Sequence, residues 1–433
     1  MTKILDQPRY KCALAAMQTV HAITNALPIL HAGPGCADKL GGGGQGGSGH
    51  FSPRVFPCTN LSEKEVIFGG EERLKETIEN ALKIIKADLY VVLSGCTSEI
   101  VGDDHQEVVR SFQNVDQPVI FASTAGFKGS NFLGHEWVIQ AIIEQYLKPA
   151  EKKIKGLVNI WASVPQHDPF WYGNLFELEN LVAQLGLTPN TIFGYDRGIK
   201  NIDKIPEAEF NLLVSPWVGL NNVKLLEEKF GTPYLHLPTL PIGAFESSKF
   251  LRAVSDFAGL DQQKTEEIIT ENEKKYYYFI ERFADVFLET RIMSKRFAVV
   301  SDAQYSLAIT KFLVNDVGLF PSKQYITDDT PDQYQEQIRG YFKELNYEIE
   351  AEVAFISDGY LIQNEIQDTY FTGHPLIIGS SWEKKIAKKT DAYYLSISWP
   401  MNERLVINSS YVGYGGGLKL LEDIYTEVLA RAI

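Results

Sequence analysis

The sequence predicts an α/β protein built from three doubly wound domains with mostly parallel sheets. Three observations carry that prediction. The chain has 433 residues, 45% of them hydrophobic, enough to bury two or three domain cores. Apolar runs of strand length alternate with segments of helical period from residue 71 onwards. Two charged stretches, PAEKKIKG before Leu157 and a helical segment ending near Lys295, divide the chain into units 1–150, 151–293 and 294–433.

Leu74, Ile78, Leu82 and Ile85 fall on one face of a helix over 71–86, and the unbroken apolar run 89–93 that follows reads as a buried parallel strand. The unit recurs as a strand at 119–122, then a strand at 157–161 with a helix over 174–185 closed by Gly186. A strand at 212–215 follows, with a helix after Asn221 closed by Gly231. A long charged helix spans about 261–295, and strands at 297–301, 353–356, 376–379 and 392–395 complete the series. Helix–strand alternation on this scale is that of Rossmann-like sheets, whose sites lie at the carboxyl edge of the strands.

Composition excludes several classes. A formal charge of −14 without any stripe of Lys and Arg does not suit nucleic acid or a membrane surface. The first residues contain no apolar run long enough for a signal-peptide core, and nowhere are there 18 uninterrupted apolar residues. The expected location is the cytoplasm. The four cysteines, Cys12, Cys36, Cys58 and Cys96, all lie in the first quarter of the chain. In a reducing compartment that points to metal ligation or free thiols rather than a disulfide framework.

Spacings of 24 and 60 between Cys12, Cys36 and Cys96 fit neither a zinc ribbon nor a ferredoxin run. Local settings say more. Cys36 ends HAGPGC, where Gly33 and Gly35 allow a tight turn with amides free to point at cluster sulfides. Cys96 follows the strand 89–93 through Ser94 and Gly95, at the carboxyl edge. Gly35 and Gly95 should be intolerant of bulky side chains if their backbones pack against a bound cluster. For Glu99, Asp103 and Asp104 a structural role is preferred, with Asp103 or Asp104 capping a helix that begins near His105, over a role in shaping the electrostatics behind Cys96. His31 and His374 read as structural histidines. The segment GGGGQGGSGH at 41–50 lacks the Gly-Lys-Ser/Thr of a phosphate loop and reads as a flexible loop.

The stretches HAGPGC at 31–36, EKEVIFGGEERL at 63–74 and VVLSGCTSEIVGDD at 91–104 resemble, in order and with similar gaps, matching blocks of nitrogenase component 1 proteins. PTLPIGAFESSKFLRAVS at 238–255 and YVGYGGGLKLLEDI at 411–424 are similar to late blocks of the β-type subunits. The resemblance implies that Cys12, in YKCALAAMQTVHAI, joins Cys36 and Cys96 as a ligand of an iron–sulfur centre shared with a partner subunit. That centre is either a P-cluster-type 8Fe–7S group or a 4Fe–4S cluster. Cys58 matches no ligand and is expected to be free.

The resemblance further implies an electron relay: an ATP-dependent iron protein as donor, and an α-type partner subunit, in an α2β2 heterotetramer, carrying the catalytic cofactor. No cysteine follows Cys96, so this chain does not repeat that cofactor's anchorage, and no residue of it is expected to be catalytic. Gly126, in STAGFKGS, stands where classical β subunits tend to place a serine that ligates the oxidised cluster. The chain is also shorter than they are and carries the polyglycine segment. Serine ligation is thus not carried over, and the substrate stays open between dinitrogen and a carbon–sulfur, tetrapyrrole or other hard-to-reduce bond. So does a second function, a non-catalytic scaffold for metallocluster assembly.

Overall fold

The structure, a computed structural model, describes residues 12–42, 56–290, 294–371 and 373–432. Most of the glycine-rich stretch, from residue 43 on, lies outside them. Among the described residues thirteen strands form three sheets, and every pairing between them is parallel.

The first sheet runs β1 (Ala26–His31), β2 (Leu89–Ser94), β3 (Val119–Ala122) in that order. β2 is apolar and buried along its whole length, as a central parallel strand covered on both faces must be. β1 is absent from the sequence reading because Pro28 interrupts it. It lies at the edge of the sheet, where a missing N–H breaks no ladder. One face of the sheet packs on the helix Glu71–Ile84 through Leu74, Ile78 and Ala81. The other packs on Met17, Val20, Val138 and Ile139.

The second sheet has β4 (Ile154–Trp161), β5 (Thr188–Asn190), β6 (Ala208–Val214) and β7 (Tyr234–Leu237) in the order β5-β4-β6-β7. The third has β8 (Arg296–Ser301), β9 (Phe320–Pro321), β10 (Gln324–Ile326), β11 (Val353–Phe355), β12 (Leu376–Gly379) and β13 (Tyr393–Ser396). Its order is β11-β10-β8-β12-β13, with β9 beside β8. The charged helix between these sheets is Gln262–Thr290, its first amides bonded to Asp261. The α/β class with parallel sheets is thus as the sequence predicts. The further strands β5, β7 and β10 are short, and β7 is only half buried, so they lack the apolar runs that mark the others.

What this does for function is geometric. Because β1, β2 and β3 are parallel, their carboxyl ends share one edge, so the segments after His31, Ser94 and Ala122 emerge side by side. The chain before β1 is drawn to the same edge. Cys12 pairs with Ser130, and the Ala13 N–H donates to Gly129 O at 3.0 Å. The turn Ala13–Ala16 lies so close to the helix Asn131–Ala141 that a Cβ on Gly134 would stand 2.3 Å from Ala13 O. Gly134→Ala should therefore force the two apart and cost about 1–3 kcal/mol. Denaturant unfolding followed by tryptophan fluorescence should show a lowered midpoint.

A candidate thiolate site at the edge of the first sheet

Each of the three predicted cysteines follows from the local fold. Cys36 lies in the first turn of the helix Pro34–Gly42, where its N–H donates to Gly33 O at 3.1 Å. That amide closes the turn. Cys96 opens the helix Cys96–Val101, with Gly95 extended before it and Gly102 left-handed after it (φ 86°). Cys12 precedes the turn Ala13–Ala16. The two glycines expected to face a cluster differ in their surroundings. A Cβ at Gly95 would meet Ala32 Cβ at 2.7 Å, so close packing on the end of β1 explains this glycine, whereas a Cβ at Gly35 meets no protein atom within 4 Å.

The structure brings two of the thiols together at Gly126. A Cβ built there would lie 3.2 Å from Cys96 Sγ, 3.4 Å from Cys12 Sγ and 3.0 Å from Cys12 Cβ. Cys36 is close enough to feel both. Its thiol is pushed up by burial first, and then by Cys12, Cys96 and Cys58. Cys58 thus enters the neighbourhood, a placement that its sequence setting does not signal. It bridges to Leu30 beside β1, and its Sγ–H donates to Ala32 O at 3.4 Å. All four cysteines are free; Cys12 is exposed and the others are half-buried. Phe127, next to Gly126, is 60% exposed.

Among the described residues no three His, Cys, Asp or Glu side chains converge tightly enough to hold a single metal ion. Sulfurs spread around a glycine fit a polynuclear group better, and thiolate is the donor that iron–sulfur clusters take. The thiols of Cys12, Cys36 and Cys96 are therefore of the donor type that such a cluster takes.

Behind the thiols lies a buried polar layer. His31 ends β1 with no exposed surface; its Nε2 lies 2.9 Å from Asp103 Oδ2 and its Nδ1 3.1 Å from Thr59 Oγ1. A carboxylate only accepts, so Nε2 carries the proton. Burial and neighbouring His105 push this imidazole down to about 4 in spite of Asp103, which makes the contact a hydrogen bond from a neutral ring. Asp103 Oδ1 accepts the Gly70 N–H at 2.7 Å, and a side chain on Gly70 would strike Asp103, Leu61 and His31. Asp104 caps the helix His105–Arg110 by accepting from the Glu107 N–H, as expected.

Glu99 sits on the first turn after Cys96. It accepts from Ser94 Oγ at 2.6 Å, Ser123 Oγ at 2.5 Å and Lys128 Nζ at 2.9 Å. Against the upward push of burial, these donors hold its carboxyl at about 2. His374 lies far along the chain at the start of the turn into β12, bonded to Asp391, and takes no part in this site.

The His31 layer has a pH signature. The unfolded chain takes up a proton at His31 near 6.5 and the folded chain only near 4, so its stabilising effect is whole above 6.5 and is lost as the pH falls towards 4. His105, lowered by burial, adds to the same slope. Melting temperature measured against pH should fall across this window, and His31→Gln should flatten the fall.

Comparison with known proteins gives this geometry a family. Residues 12–429 match the family model described as nitrogenase component 1 type oxidoreductase. The nitrogenase molybdenum-iron protein beta chain of Clostridium pasteurianum is 24% identical over 446 residues, covering 96% of this chain and 92% of that one. A light-independent protochlorophyllide reductase chain of Angiopteris evecta is 24% identical, covering 82% of this chain and 70% of the other. The solved structure of nitrogenase Cp1 at pH 6.5 superimposes with a TM-score of 0.83 at 19% identity, over 100% of this chain and 95% of that one. With the family model spanning nearly the whole chain and the parallel sheets carrying their cysteines at one edge, this protein belongs to the nitrogenase component 1 type oxidoreductases.

Proposed function

We propose that the chain is the β-type subunit of a nitrogenase-like reductase, in which Cys12, Cys36 and Cys96 hold an interface iron–sulfur cluster shared with an α-type subunit. The observation that carries this reading is the meeting of the Cys12 and Cys96 thiols at Gly126 on an open edge, with Cys36 near enough to be influenced by both, Cys12 exposed and Phe127 uncovered beside it. Three thiolates fall short of the four that an iron–sulfur cluster commonly takes, which favours completion by a second chain. The pairing is supported by relatives of both kinds, since the nitrogenase molybdenum-iron protein alpha chain of Methanosarcina barkeri is 26% identical over 63% of this chain. An α2β2 assembly in the cytoplasm and domains 1–150, 151–293 and 294–433 belong to the same proposal.

When bound, such a cluster stores and passes single electrons. The chain's own residues position it. The sheet edge fixes where the three thiols emerge, the neutral His31 layer backs that edge with satisfied hydrogen bonds, and apolar β2 beneath excludes water. Where the carboxyl ends of the second and third sheets meet, Phe132, Trp217 and their neighbours leave a cavity of about 10 Å³, room for about one water.

The electron donor in this proposal is an ATP-dependent iron protein. Its docking surface is the helix Glu63–Phe68 with the neighbouring helix Cys96–Val101, which expose Val66, Ile67 at 71%, Phe68 at 80% and Ile100 at 75%. Uncovered apolar side chains in one patch mark a protein contact. Gly70, just past the first helix, is bonded to Asp103, which in turn meets His31. The patch is thus coupled rigidly to the thiol edge.

The test is co-expression with an α-type neighbour, anaerobic purification, and iron content with EPR for wild type and Cys96→Ala. Wild type should carry iron and a cluster signal, and Cys96→Ala should lose both. An iron-free wild-type complex would overturn the relay and favour the scaffold. Phe68→Asp should leave iron content unchanged while slowing reduction by the iron protein about tenfold or more, read as the pre-steady-state rate of cluster reduction.

A further inference from the structure

We propose that Glu99 and Lys128 are positioning residues, a latch that fixes the distance between Cys12 and Cys96. The proposal rests on the cluster reading above for its purpose, but its geometry stands independently. The segment 123–130 crosses from β3 to the helix Asn131–Ala141 and touches both cysteine-bearing segments. At one end it grips the Cys96 turn: the Thr124 N–H donates to Ser94 Oγ and Thr124 Oγ1 to Ser94 O, each at 3.0 Å. At the other end it grips the Cys12 segment, through the Cys12–Ser130 bridge and the bond from Ala13 N–H to Gly129 O. Gly126 stands between, facing both sulfurs.

The middle of this crossing is a backbone turn closed by the Lys128 N–H, which donates to Ala125 O at 2.9 Å. There Lys128 folds back over the segment. Its Nζ donates to Glu99 Oε2 at 2.9 Å and to Ser123 Oγ at 2.5 Å, while Ser123 Oγ donates to Glu99 Oε1. Glu99 belongs to the helix that Cys96 begins, so the ion pair ties that helix to a point two residues from Gly126. The carboxylate is 16% exposed and has three donors, a more ordered arrangement than an isolated surface pair. Because 123–130 carries Ser130 at its far end, its shape sets where Cys12 lies relative to Cys96. A glycine at 126 contributes no side chain to that job, so the latch does it from outside the sulfur-lined space.

The test reads distance without needing iron. In the full-length chain carrying Cys36→Ala and Cys58→Ala, only Cys12 and Cys96 remain, and dibromobimane joins thiols only at short range. The parent should cross-link, and Lys128→Met should cross-link about fivefold less. Lys128→Arg, which restores the ion pair, should recover. Glu99→Gln keeps both hydroxyl partners and drops the charge, and should follow Lys128→Met. Either variant cross-linking like the parent would overturn the latch.

In the anaerobic complex, Lys128→Met should shift the cluster's EPR signature and midpoint potential, whereas Lys128→Arg should not. An unshifted Lys128→Met signal at full iron content would also overturn it. Iron absent from the wild-type complex, with cross-linking as expected, would remove the cluster reading and leave the latch standing.

Discussion

The parallel register of β1, β2 and β3 is the constraint on which the remainder depends. Ala26 lies opposite Leu89 and Tyr90 opposite Val119, so His31, Ser94 and Ala122 finish almost level. Three loops separated by tens of residues then leave one edge together, and a cysteine placed just after two of them is brought to a shared point without any local motif. Antiparallel pairing of any strand would send its loop to the opposite side of the sheet. The apolar character of β2, buried on both faces, is therefore a requirement of the thiol site as much as of the core.

Around that edge the structure satisfies polar groups where it cannot tolerate unsatisfied ones. His31 sits where a strand end meets a buried turn, and its ring uses both nitrogens, one towards Thr59 and one towards Asp103. Asp103 spends its second oxygen on Gly70. The chain from the exposed apolar helix to the sheet edge thus contains no soft joint: a backbone amide, a carboxylate, a ring and a strand follow in succession. Buried networks satisfied in this way are rigid, which suits a path along which a docking event at the surface must be felt at the sulfurs.

How much of this is legible in the sequence depends on range. The strands and helices with strong periodicity are, because an all-apolar run such as that of β2 has only one stable environment. So is the cap at Asp104, while the blocks that resemble a family single out Cys12, Cys36 and Cys96 as the proposed ligands. The edge strand β1 is not, since Pro28 is a local signal against a strand and only its place in the sheet excuses it. Gly95 reads locally as a neighbour of the cluster, yet what it accommodates is Ala32, 63 positions earlier in the chain. Cys58 and the Lys128–Glu99 pair are invisible for the same reason, because contacts across 22 and 29 residues leave no spacing rule to read.

The open sulfur edge also bears on the life of the polypeptide before it reaches its assembly. A chain released from the ribosome with Cys12 uncovered, and its sulfur facing that of Cys96 across a residue with no side chain, is a dithiol exposed to whatever oxidant it meets. Among the described residues nothing covers Cys12. Under the proposed reading, such a protein is safest when its partner is made alongside it and metal arrives before air does, so that stoichiometric synthesis becomes a form of chemical protection.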